Sequence, residues 1–391
     1  MKKLFLLFLF VSATIFSQTN AAIYVFDVQQ NDETYQLTNQ KTISNSKGYN
    51  NQPFFYDDEH VIFASTKNNF TDIFLYNLKD NSKRFISTTE NGGEYSPQRI
   101  PNSTNISAVR LDADGLQRFY KYDFTTGKNK EIISDLKVAY PNWFDENTLV
   151  AVSIVNDSLE LFICDVKKKK NISVAKNVGR SVHQIPNTNM MSFISKENKD
   201  SWVLKSINPK TQEIKTIITL GKHEDITWLP NGTLLISNGK SIYKFHPKKD
   251  KNPSLFFEFS DENINNISRM AVNSDGSKIA FAAEVSPEYL AEEQLAGYNN
   301  RDIDAFLKPY AKNVKVYRFP NNLNYEGLDI MRERYASFFE QTEDLHCKIL
   351  KRIVYKDKVI DHELVTANGN TFKAVAIYEM KNGKIVSVTF M

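Results

Sequence analysis

Residues 271–281 read Ala-Val-Asn-Ser-Asp-Gly-Ser-Lys-Ile-Ala-Phe. A cluster of turn residues at 273–276 precedes an apolar run that begins at Ile279. Asn, Ser, Asp and Gly favour tight turns, and a short apolar run bounded by such residues is typical of a buried strand. The stretch therefore predicts one unit of a repeating β-structure, in which a turn leads into an inner strand.

The same unit recurs through the first two thirds of the chain. Apolar runs preceded by turn residues follow one another every 42 to 45 residues. Their first residues are Val61, Ile106, Leu149, Met191, Leu234 and Ile279. Short strands in groups of four, with a period of about 40 to 45 residues, are typical of propeller blades. We therefore predict an all-β propeller of six blades.

The sixth unit is incomplete at its C-terminal side. It contains inner strands at residues 268–283, and no outer pair follows them. Two alternating strands that fit the missing pair lie at residues 23–28 and 33–37. Pairing between these segments would remove exposed sheet edges, which are a liability in β-proteins. We therefore expect the N-terminal strands to complete the sixth blade and to close the ring.

Residues 271–281 closely resemble the Ser-Pro-Asp-Gly-x-x-Ile-Ala-Phe signature of TolB-type, WD-repeat-like propellers. The other units match this signature more loosely, for example at residues 140–144. The resemblance covers residues 23–284 and implies a six-bladed propeller. It implies no particular chemistry, because propellers of this type serve as binding platforms and as accessory domains.

The first residues have the pattern of an export signal. Lys2 and Lys3 precede an apolar run at residues 4–16, and small or polar residues follow. This order is typical of a secretory signal peptide, and the run is short for a bilayer core of roughly 30 Å. We predict that residues 1–20 are a cleaved signal peptide and that the chain is exported, either to the periplasm or as a secreted protein. A single uncleaved N-terminal anchor is the alternative.

The composition excludes several classes of function. Forty-nine Lys and Arg residues against 46 Asp and Glu residues leave a net charge of +3, which predicts no nucleic-acid-binding surface. Two cysteines are too few for a disulfide framework or a cysteine zinc site. No segment after the first is apolar enough to span a membrane. The histidines show no metal-ligand spacing, so we predict neither a metal nor a cofactor.

The pattern changes from residue 285 onward. Ser286 before a proline and a glutamate predicts a helix N-cap, and Asp302 predicts the start of a second, short helix. A strand is expected at residues 314–319. The clearest helix follows, because its apolar residues share one face; these residues are Leu328, Met331, Tyr335, Phe338 and Phe339.

Four strands are expected to finish the chain. They cover residues 345–355, 357–366, 371–380 and 384–391, and Asn382-Gly383 is a hairpin signal between the last two. Helices followed by an antiparallel meander are typical of an α+β domain in which the helices cover one face of a curved sheet. We therefore divide the chain into a signal peptide (1–20), a propeller (21–284) and an α+β domain (285–391).

Three segments of the α+β domain, at residues 298–306, 325–327 and 377–385, resemble in the same order the motifs of a known family. The family is the SnoaL-like branch of the nuclear-transport-factor-2-like superfamily. The resemblance covers residues 288–391 and implies a cone-shaped fold. It leaves the activity open, because the superfamily includes isomerases, cyclases, dehydratases and binding modules.

The resemblance also bears on steroid-isomerase chemistry. Ketosteroid isomerases of this superfamily use an aspartate base on the first strand, and in an ungapped alignment of residues 311–318 that position falls on Arg318. The tyrosine of their first helix falls near Gln294. A guanidinium cannot accept a proton near neutral pH. We therefore expect the domain to share the fold of the ketosteroid isomerases and to lack their catalytic base.

The candidate catalytic residues are His346, Asp361 and Glu363. Asp361 and Glu363 share one face of a strand, so a histidine and a carboxylate from neighbouring strands could act as an acid–base pair. The alternative is that these residues lie on a solvated outer face or form a salt bridge to Arg318 or Arg352.

The candidate ligand-binding residues are Tyr317, Arg318, Tyr335, Phe339 and Tyr378. On the first strand, Arg318 is expected on the same side as two valines, inside the cone. A buried guanidinium must be paired. Its partner would be either an internal carboxylate or the acid group of a bound ligand.

These observations favour an exported binding protein. The propeller would engage a protein or a glycan, and the cone would hold a small apolar or weakly acidic molecule. The alternative is a cofactor-independent isomerase, dehydratase or lyase that works in the cone. A carboxylate or histidine with a raised pKa in an enclosed pocket would favour the enzyme.

Overall fold

The computed structural model of the chain describes residues 21–31, 34–44, 48–67, 70–90, 92–261, 263–284, 286–355, 357–381 and 384–391. These residues form two compact units, one up to Ser286 and one from Pro287 onward. The predicted signal peptide and the predicted Asn382-Gly383 turn lie outside the described residues.

The N-terminal unit is built from short strands. The first two are β1 (Ala21–Asn31) and β2 (Thr34–Thr42). A first group of four contains β3 (Asn50–Phe55), β4 (His60–Lys67), β5 (Phe70–Asn77) and β6 (Lys83–Phe85). A second group contains β7 (Gly93–Arg99), β8 (Ile106–Leu111), β9 (Gln117–Tyr122) and β10 (Asn129–Ile133).

Three further groups of four and a final pair follow. They are β11 (Val138–Trp143), β12 (Thr148–Val155), β13 (Ser158–Asp165) and β14 (Lys170–Lys176), then β15 (Val178–Gln184), β16 (Met191–Ser195), β17 (Trp202–Ile207) and β18 (Ile214–Gly221). The last are β19 (Ile226–Trp228), β20 (Leu234–Asn238), β21 (Ser241–Phe245) and β22 (Ser254–Glu258), then β23 (Asn265–Val272) and β24 (Lys278–Glu284).

Each group pairs mainly within itself. The groups β11–β14, β15–β18 and β19–β22 are separate four-stranded sheets in chain order. The groups β3–β6 and β7–β10 are joined into one sheet through the parallel pairing of Thr71 with Gly93. The predicted apolar runs are the second strands of the groups, and they are buried because each packs between neighbouring sheets.

The remaining sheet combines the first and last strands of the unit, in the order β2-β1-β24-β23. Strand β1 pairs antiparallel with β24, so that Ile23 lies opposite Ala282. Both of these residues are fully buried. Residues that are far apart in the sequence therefore share one set of backbone hydrogen bonds.

Side chains also link neighbouring groups. Gln98 of β7 donates from Nε2 to the carbonyl of Pro141 in β11 at 2.7 Å, and Asn142 of β11 donates from Nδ2 to the carbonyl of Val182 in β15 at 2.9 Å. These bonds satisfy backbone carbonyls on the first strands of the groups, which line a cavity described below. The first strands are thus tied to one another as well as to their own sheets.

The described residues of the C-terminal unit form three helices and one sheet. Its elements are α1 (Glu288–Asn299), α2 (Ile303–Leu307), β25 (Tyr310–Arg318), β26 (Asn322–Glu326), α3 (Leu328–Gln341), β27 (His346–Tyr355), β28 (Lys358–Ala367), β29 (Asn370–Lys381) and β30 (Lys384–Phe390). The strand order is β26-β25-β30-β29-β28-β27, with β25 and β30 parallel and the other neighbours antiparallel.

Most of the predicted elements of this unit are confirmed. Asp302 caps α2 by accepting hydrogen bonds from the backbone of Asp304 and Ala305. The predicted N-cap at Ser286 is wrong, because Pro287 occupies the N-cap of α1 without a capping side chain. Strand β26 was not predicted, since its mixed polar sequence shows no clear alternation.

One face of the sheet is buried under the helices. Along β28 the inward residues Val359, Asp361, Glu363 and Val365 are buried, and the residues between them are only half-buried. The apolar core beneath the helices includes Phe306, which is 1% exposed. This alternation places two carboxylates on the buried face of the sheet. Within the described ranges, no helix of either unit is long and apolar enough to cross a bilayer.

Deleting residues 23–40 should disrupt the N-terminal unit and spare the C-terminal unit. The deletion removes the strand that pairs with β24 and exposes the edge of a buried sheet. The three tryptophans, Trp143, Trp202 and Trp228, all lie in the N-terminal unit, so their fluorescence reports on that unit alone.

We expect loss of the cooperative fluorescence transition or insoluble protein. Hydrogen exchange of peptides from β27 to β29 should remain slow in any soluble fraction. A deletion variant whose fluorescence transition keeps its midpoint would show that the pairing with β1 is dispensable.

Candidate functional site

The C-terminal unit contains a partly open cavity of about 160 Å³ between its helices and the sheet. Its walls are largely aromatic. The rings that line it belong to Tyr298, Phe306, Tyr310, Tyr335, Phe372, Tyr378 and Phe390. Phe306 and Tyr335 hold one another in place, with ring centroids 4.5 Å apart. Such a site suits a ligand with a largely apolar surface.

Glu363 is the carboxylate among the described residues that line this cavity. It is 6% exposed, and Tyr378 donates a hydrogen bond from its hydroxyl to Glu363 Oε1 at 3.1 Å. Burial raises the pKa of Glu363 to about 7, and the negative charge of Asp361 adds to the increase, although the Tyr378 hydrogen bond and Arg352 oppose it. Glu363 can therefore exchange a proton near neutral pH.

A chain of hydrogen bonds extends from Glu363 towards α1. Gln294 donates from Nε2 to the hydroxyl of Tyr378 at 3.0 Å, and Tyr310 donates its hydroxyl proton to Gln294 Oε1 at 3.3 Å. Burial raises the pKa of both tyrosines well above the usual value. The tyrosines therefore stay protonated and serve as hydrogen-bond donors across the physiological range.

Asp361 has a different environment, although it is only two residues from Glu363. It is fully buried, and Arg352 of β27 donates to both of its oxygens, at 2.7 Å from Nε and 2.8 Å from Nη2. The same guanidinium lies 3.4 Å from Glu288 and from Glu292 of α1. These partners raise the pKa of Arg352. The bidentate pair therefore ties β27 to β28, and the contacts of Arg352 with the two glutamates add α1.

The structure brings some of the predicted site residues together and separates others. Glu363, Tyr335 and Tyr378 line the cavity. Asp361 does not line the cavity and forms an ion pair with Arg352, which was one of the alternatives. Phe339 is buried in the core, edge-on to Tyr298 with ring centroids 5.6 Å apart.

Like Asp361 and Phe339, three further predicted residues lie outside the cavity lining. His346 is exposed, because its neighbour Cys347 occupies the inward position of β27. An acid–base pair of His346 with a strand carboxylate is therefore wrong. Tyr317 is half-buried and does not line the cavity.

The expectation that Arg318 faces the interior is also wrong. Val314 and Val316 are buried, whereas Arg318 is exposed at the end of β25. Arg318 is the last residue of β25 and precedes the exposed Phe319, so the buried part of the strand ends before it. Arg352, which the alternative interpretation named, is the partner of the buried carboxylate.

Several residues of the site were missed from the sequence. Gln294 and Tyr298 are four residues apart on α1, a spacing that places both on one helix face, and this signal could have identified them. Tyr310 and Cys347 had no such signal, because their inward direction depends on strand ends. Burial raises the pKa of the Cys347 thiol to about 12, so this thiol is not a nucleophile at neutral pH.

Comparison with known families agrees with this geometry. The family model described as "SnoaL-like domain" matches residues 291–388, which include the cavity and both carboxylates. Residues 291–388 form a SnoaL-like domain. None of the curated proteins compared with the chain matches it. Within the described residues no group of three or more His, Cys, Asp or Glu side chains could hold a metal ion.

Solved structures resemble each unit separately. A putative TolB from Agrobacterium tumefaciens is 12% identical, with a TM-score of 0.51, and the match covers 68% of this chain and 98% of that chain. An NTF2-like protein of unknown function from Cytophaga hutchinsonii is 17% identical, with a TM-score of 0.25, and covers 28% of this chain and 91% of its own. A SnoaL-like protein of unknown function from Burkholderia thailandensis is 18% identical, with a TM-score of 0.24, and the match covers 27% of this chain and 92% of that chain. The N-terminal unit thus resembles TolB-type propellers in fold.

Removing Arg352 should destabilise the SnoaL-like domain. Arg352→Ala leaves the buried Asp361 charge uncompensated, which costs about 3 to 5 kcal/mol in comparable cases. Arg318→Ala is the matched control, because the same side chain is lost from an exposed position. Hydrogen exchange of peptides from β27 and β28 in increasing urea would measure both effects. Equal protection in the two variants would show that the ion pair contributes no stability.

Glu363 should titrate near pH 7. In ¹³C NMR of protein labelled at its glutamate carboxyl carbons, we expect two signals with midpoints near 7, since burial also raises the pKa of Glu94 in the propeller to about 7. Glu363→Gln should remove one signal and Glu94→Gln the other. Two signals near pH 7 that both persist in Glu363→Gln would contradict this assignment.

The same shift determines how stability depends on pH. The pKa of Glu363 is raised above its unfolded value, so the folded state retains a proton that the unfolded state has lost between about pH 4.5 and 7. Stability of the domain should fall as the pH rises through this window, by an amount on the order of 3 kcal/mol. Glu363→Gln should abolish this part of the pH dependence.

Proposed function

We propose that the SnoaL-like domain holds a small, largely apolar ligand with one polar group. The observation that carries the proposal is the aromatic cavity with Glu363 and Tyr378 on its wall. A polar group of the ligand would hydrogen-bond to Glu363, and the remainder would pack against the rings. A cavity of about 150 Å³ is known to hold one benzene molecule, so the ligand here has roughly the size of a single ring.

For the N-terminal unit we propose a six-bladed propeller that engages a protein or a glycan. Counting the groups β3–β6 and β7–β10 as two blades, with the β2-β1-β24-β23 sheet as the sixth, supports the number of blades. The pairing of β1 with β24 supports closure of the ring by the N-terminal strands. We further propose that residues 1–20 are a cleaved signal peptide and that the binding protein is exported.

A second candidate is an isomerase, dehydratase or lyase that works in the same cavity without a cofactor. The raised pKa of Glu363 favours it, because a general base is most effective when its pKa lies near the working pH. Tyr378 would stabilise the carboxylate form, and its own high pKa keeps it a donor. The two candidates share a ligand site and differ in whether the ligand is changed.

Native mass spectrometry of the exported, full-length protein tests the binding proposal. We expect a bound small molecule in the wild type and none in Ala374→Trp, because Ala374 lines the cavity and a tryptophan would fill it. Val375→Trp is the matched control, since Val375 is the next residue of the same strand and does not line the cavity. Retention of the molecule in Ala374→Trp, or its loss in Val375→Trp alone, would place the ligand elsewhere.

Hydrogen exchange into the ligand in deuterated water distinguishes the enzyme from the binding protein. The molecule released from the wild type would be returned to wild-type protein and to Glu363→Gln, and deuterium uptake into it measured by mass spectrometry. Uptake with the wild type alone would support base chemistry at Glu363. An unchanged ligand in both would support a binding role.

A further inference from the structure

The propeller contains a second cavity, of about 180 Å³, that the proposed function does not use. Six strands contribute to its wall, and each is the first of its group: β3, β7, β11, β15, β19 and β23. The polar residues that line it are mostly half-buried, so solvent reaches them. They include Gln52, Gln98, Asn142, Arg180, His183 and Arg269.

The charge of this cavity is unbalanced. Two arginines line it, and the described lining residues include no aspartate or glutamate. Two carboxylates that do not line the cavity compensate the charge of Arg180. Its Nη2 lies 2.5 Å from Asp225, and its Nε lies 3.4 Å from Glu224. Glu224 is shared with Lys196 at 2.7 Å. Two carboxylates, Glu224 and Asp225, therefore lie among three cations, of which Arg269 is the third.

Arg269 is the cation without an ion pair among the described residues of this cavity. Its guanidinium lies over the ring of Tyr140, with Cζ 4.8 Å from the ring centroid. Its backbone N–H donates to Asp225 Oδ1 at 3.2 Å, so Asp225 binds the main chain of Arg269 and the side chain of Arg180. The stacking fixes the plane of the guanidinium and leaves its N–H groups for another acceptor.

The backbone at Arg269 is specialised for this placement. Its φ of 52° is in the left-handed region, which is uncommon for residues other than glycine, and the pairing of β23 with β24 is irregular between Ser268 and Ala271. Bulges of this kind redirect side chains and occur frequently beside functional sites. Gln52 and Ser96, at corresponding places on β3 and β7, have φ values of 56° and 50°.

A neutral histidine completes the polar wall. Burial and the positive charge of Arg269 lower the pKa of His183 to about 4, although Asp225 opposes the shift. At neutral pH the imidazole therefore adds no charge and offers one N–H donor. The other walls are apolar and include Pro53, Phe54 and Met270.

We propose that this cavity binds a small organic monocarboxylate. The guanidinium of Arg269 would form paired hydrogen bonds with the carboxylate, a geometry that suits a planar fork of donors. The apolar part of the acid would lie against the proline, phenylalanine and methionine side chains. A single uncompensated cation matches one carboxylate, and the volume again matches about one ring. The site is independent of the ligand proposed for the SnoaL-like domain.

Isothermal titration calorimetry of the full-length protein at pH 7 with benzoate tests the proposal. Benzyl alcohol is the neutral probe of similar shape, and we expect it to bind about ten- to a hundredfold more weakly. Arg269→Gln should weaken benzoate binding by a similar factor. Arg269→Lys keeps the charge and should give an intermediate affinity, which preserves the test if the glutamine variant folds poorly.

Two controls locate the binding. Arg99→Gln should leave the affinity unchanged, because Arg99 also stacks on a tyrosine, with Cζ 4.7 Å from the centroid of Tyr56, but lies outside the cavity lining. Ala374→Trp fills the cavity of the SnoaL-like domain and should not affect benzoate binding either. Loss of binding in Ala374→Trp would assign the benzoate to the other domain and overturn the proposal.

Three further results would overturn it: no benzoate binding, equal affinity for benzoate and benzyl alcohol, or unchanged affinity in Arg269→Gln. Glucuronate and the peptide Ala-Ala-Ala are the competing probes, for a glycan and for a protein terminus. If either binds more than about tenfold tighter than benzoate, the site belongs to that class of partner and not to a small acid.

Discussion

Backbone hydrogen bonding between β1 and β24 joins the first and last strands of the propeller unit. The paired residues run from Ala21 to Asp27 on one strand and from Lys278 to Glu284 on the other. Most of them are buried, so their N–H and C=O groups have no access to water as an alternative partner. Every other sheet of the unit is formed by strands close in sequence. This long-range pairing therefore holds β23, and with it Arg269, in one sheet with the N-terminal strands.

The SnoaL-like domain accommodates two buried carboxylates on one strand in opposite ways. Asp361 is paired with Arg352, which lies directly opposite it in the β27–β28 ladder. Glu363 contacts a tyrosine hydroxyl where Asp361 contacts a cation, and burial raises the pKa of the Glu363 carboxyl. The same strand therefore carries an ion-paired carboxylate and, two residues further on, a carboxylate that is costly to ionise.

The sequence was informative where a repeated local pattern decides the structure. The period of the apolar runs predicted the strand groups, and the apolar face from Leu328 to Phe339 predicted α3. It was misleading where the surroundings of one side chain depend on where a strand begins or ends. Arg318 and His346 are both terminal residues of strands, and simple alternation does not determine their surroundings. The pairing of Asp361 with Arg352 required the register of two strands, which the sequence left among the alternatives.

The hydrogen-bond chain from Tyr310 through Gln294 and Tyr378 to Glu363 has a single direction of donation. Each hydroxyl has one proton, and the amide of Gln294 has a donor end and an acceptor end. If Glu363 takes up a proton on the oxygen that faces Tyr378, that hydroxyl becomes an acceptor, and its own proton must turn towards Gln294. The amide must then rotate by half a turn, and its nitrogen must donate to Tyr310. The protonation state at one wall of the cavity is thereby transmitted to the opposite wall as the orientation of an amide group.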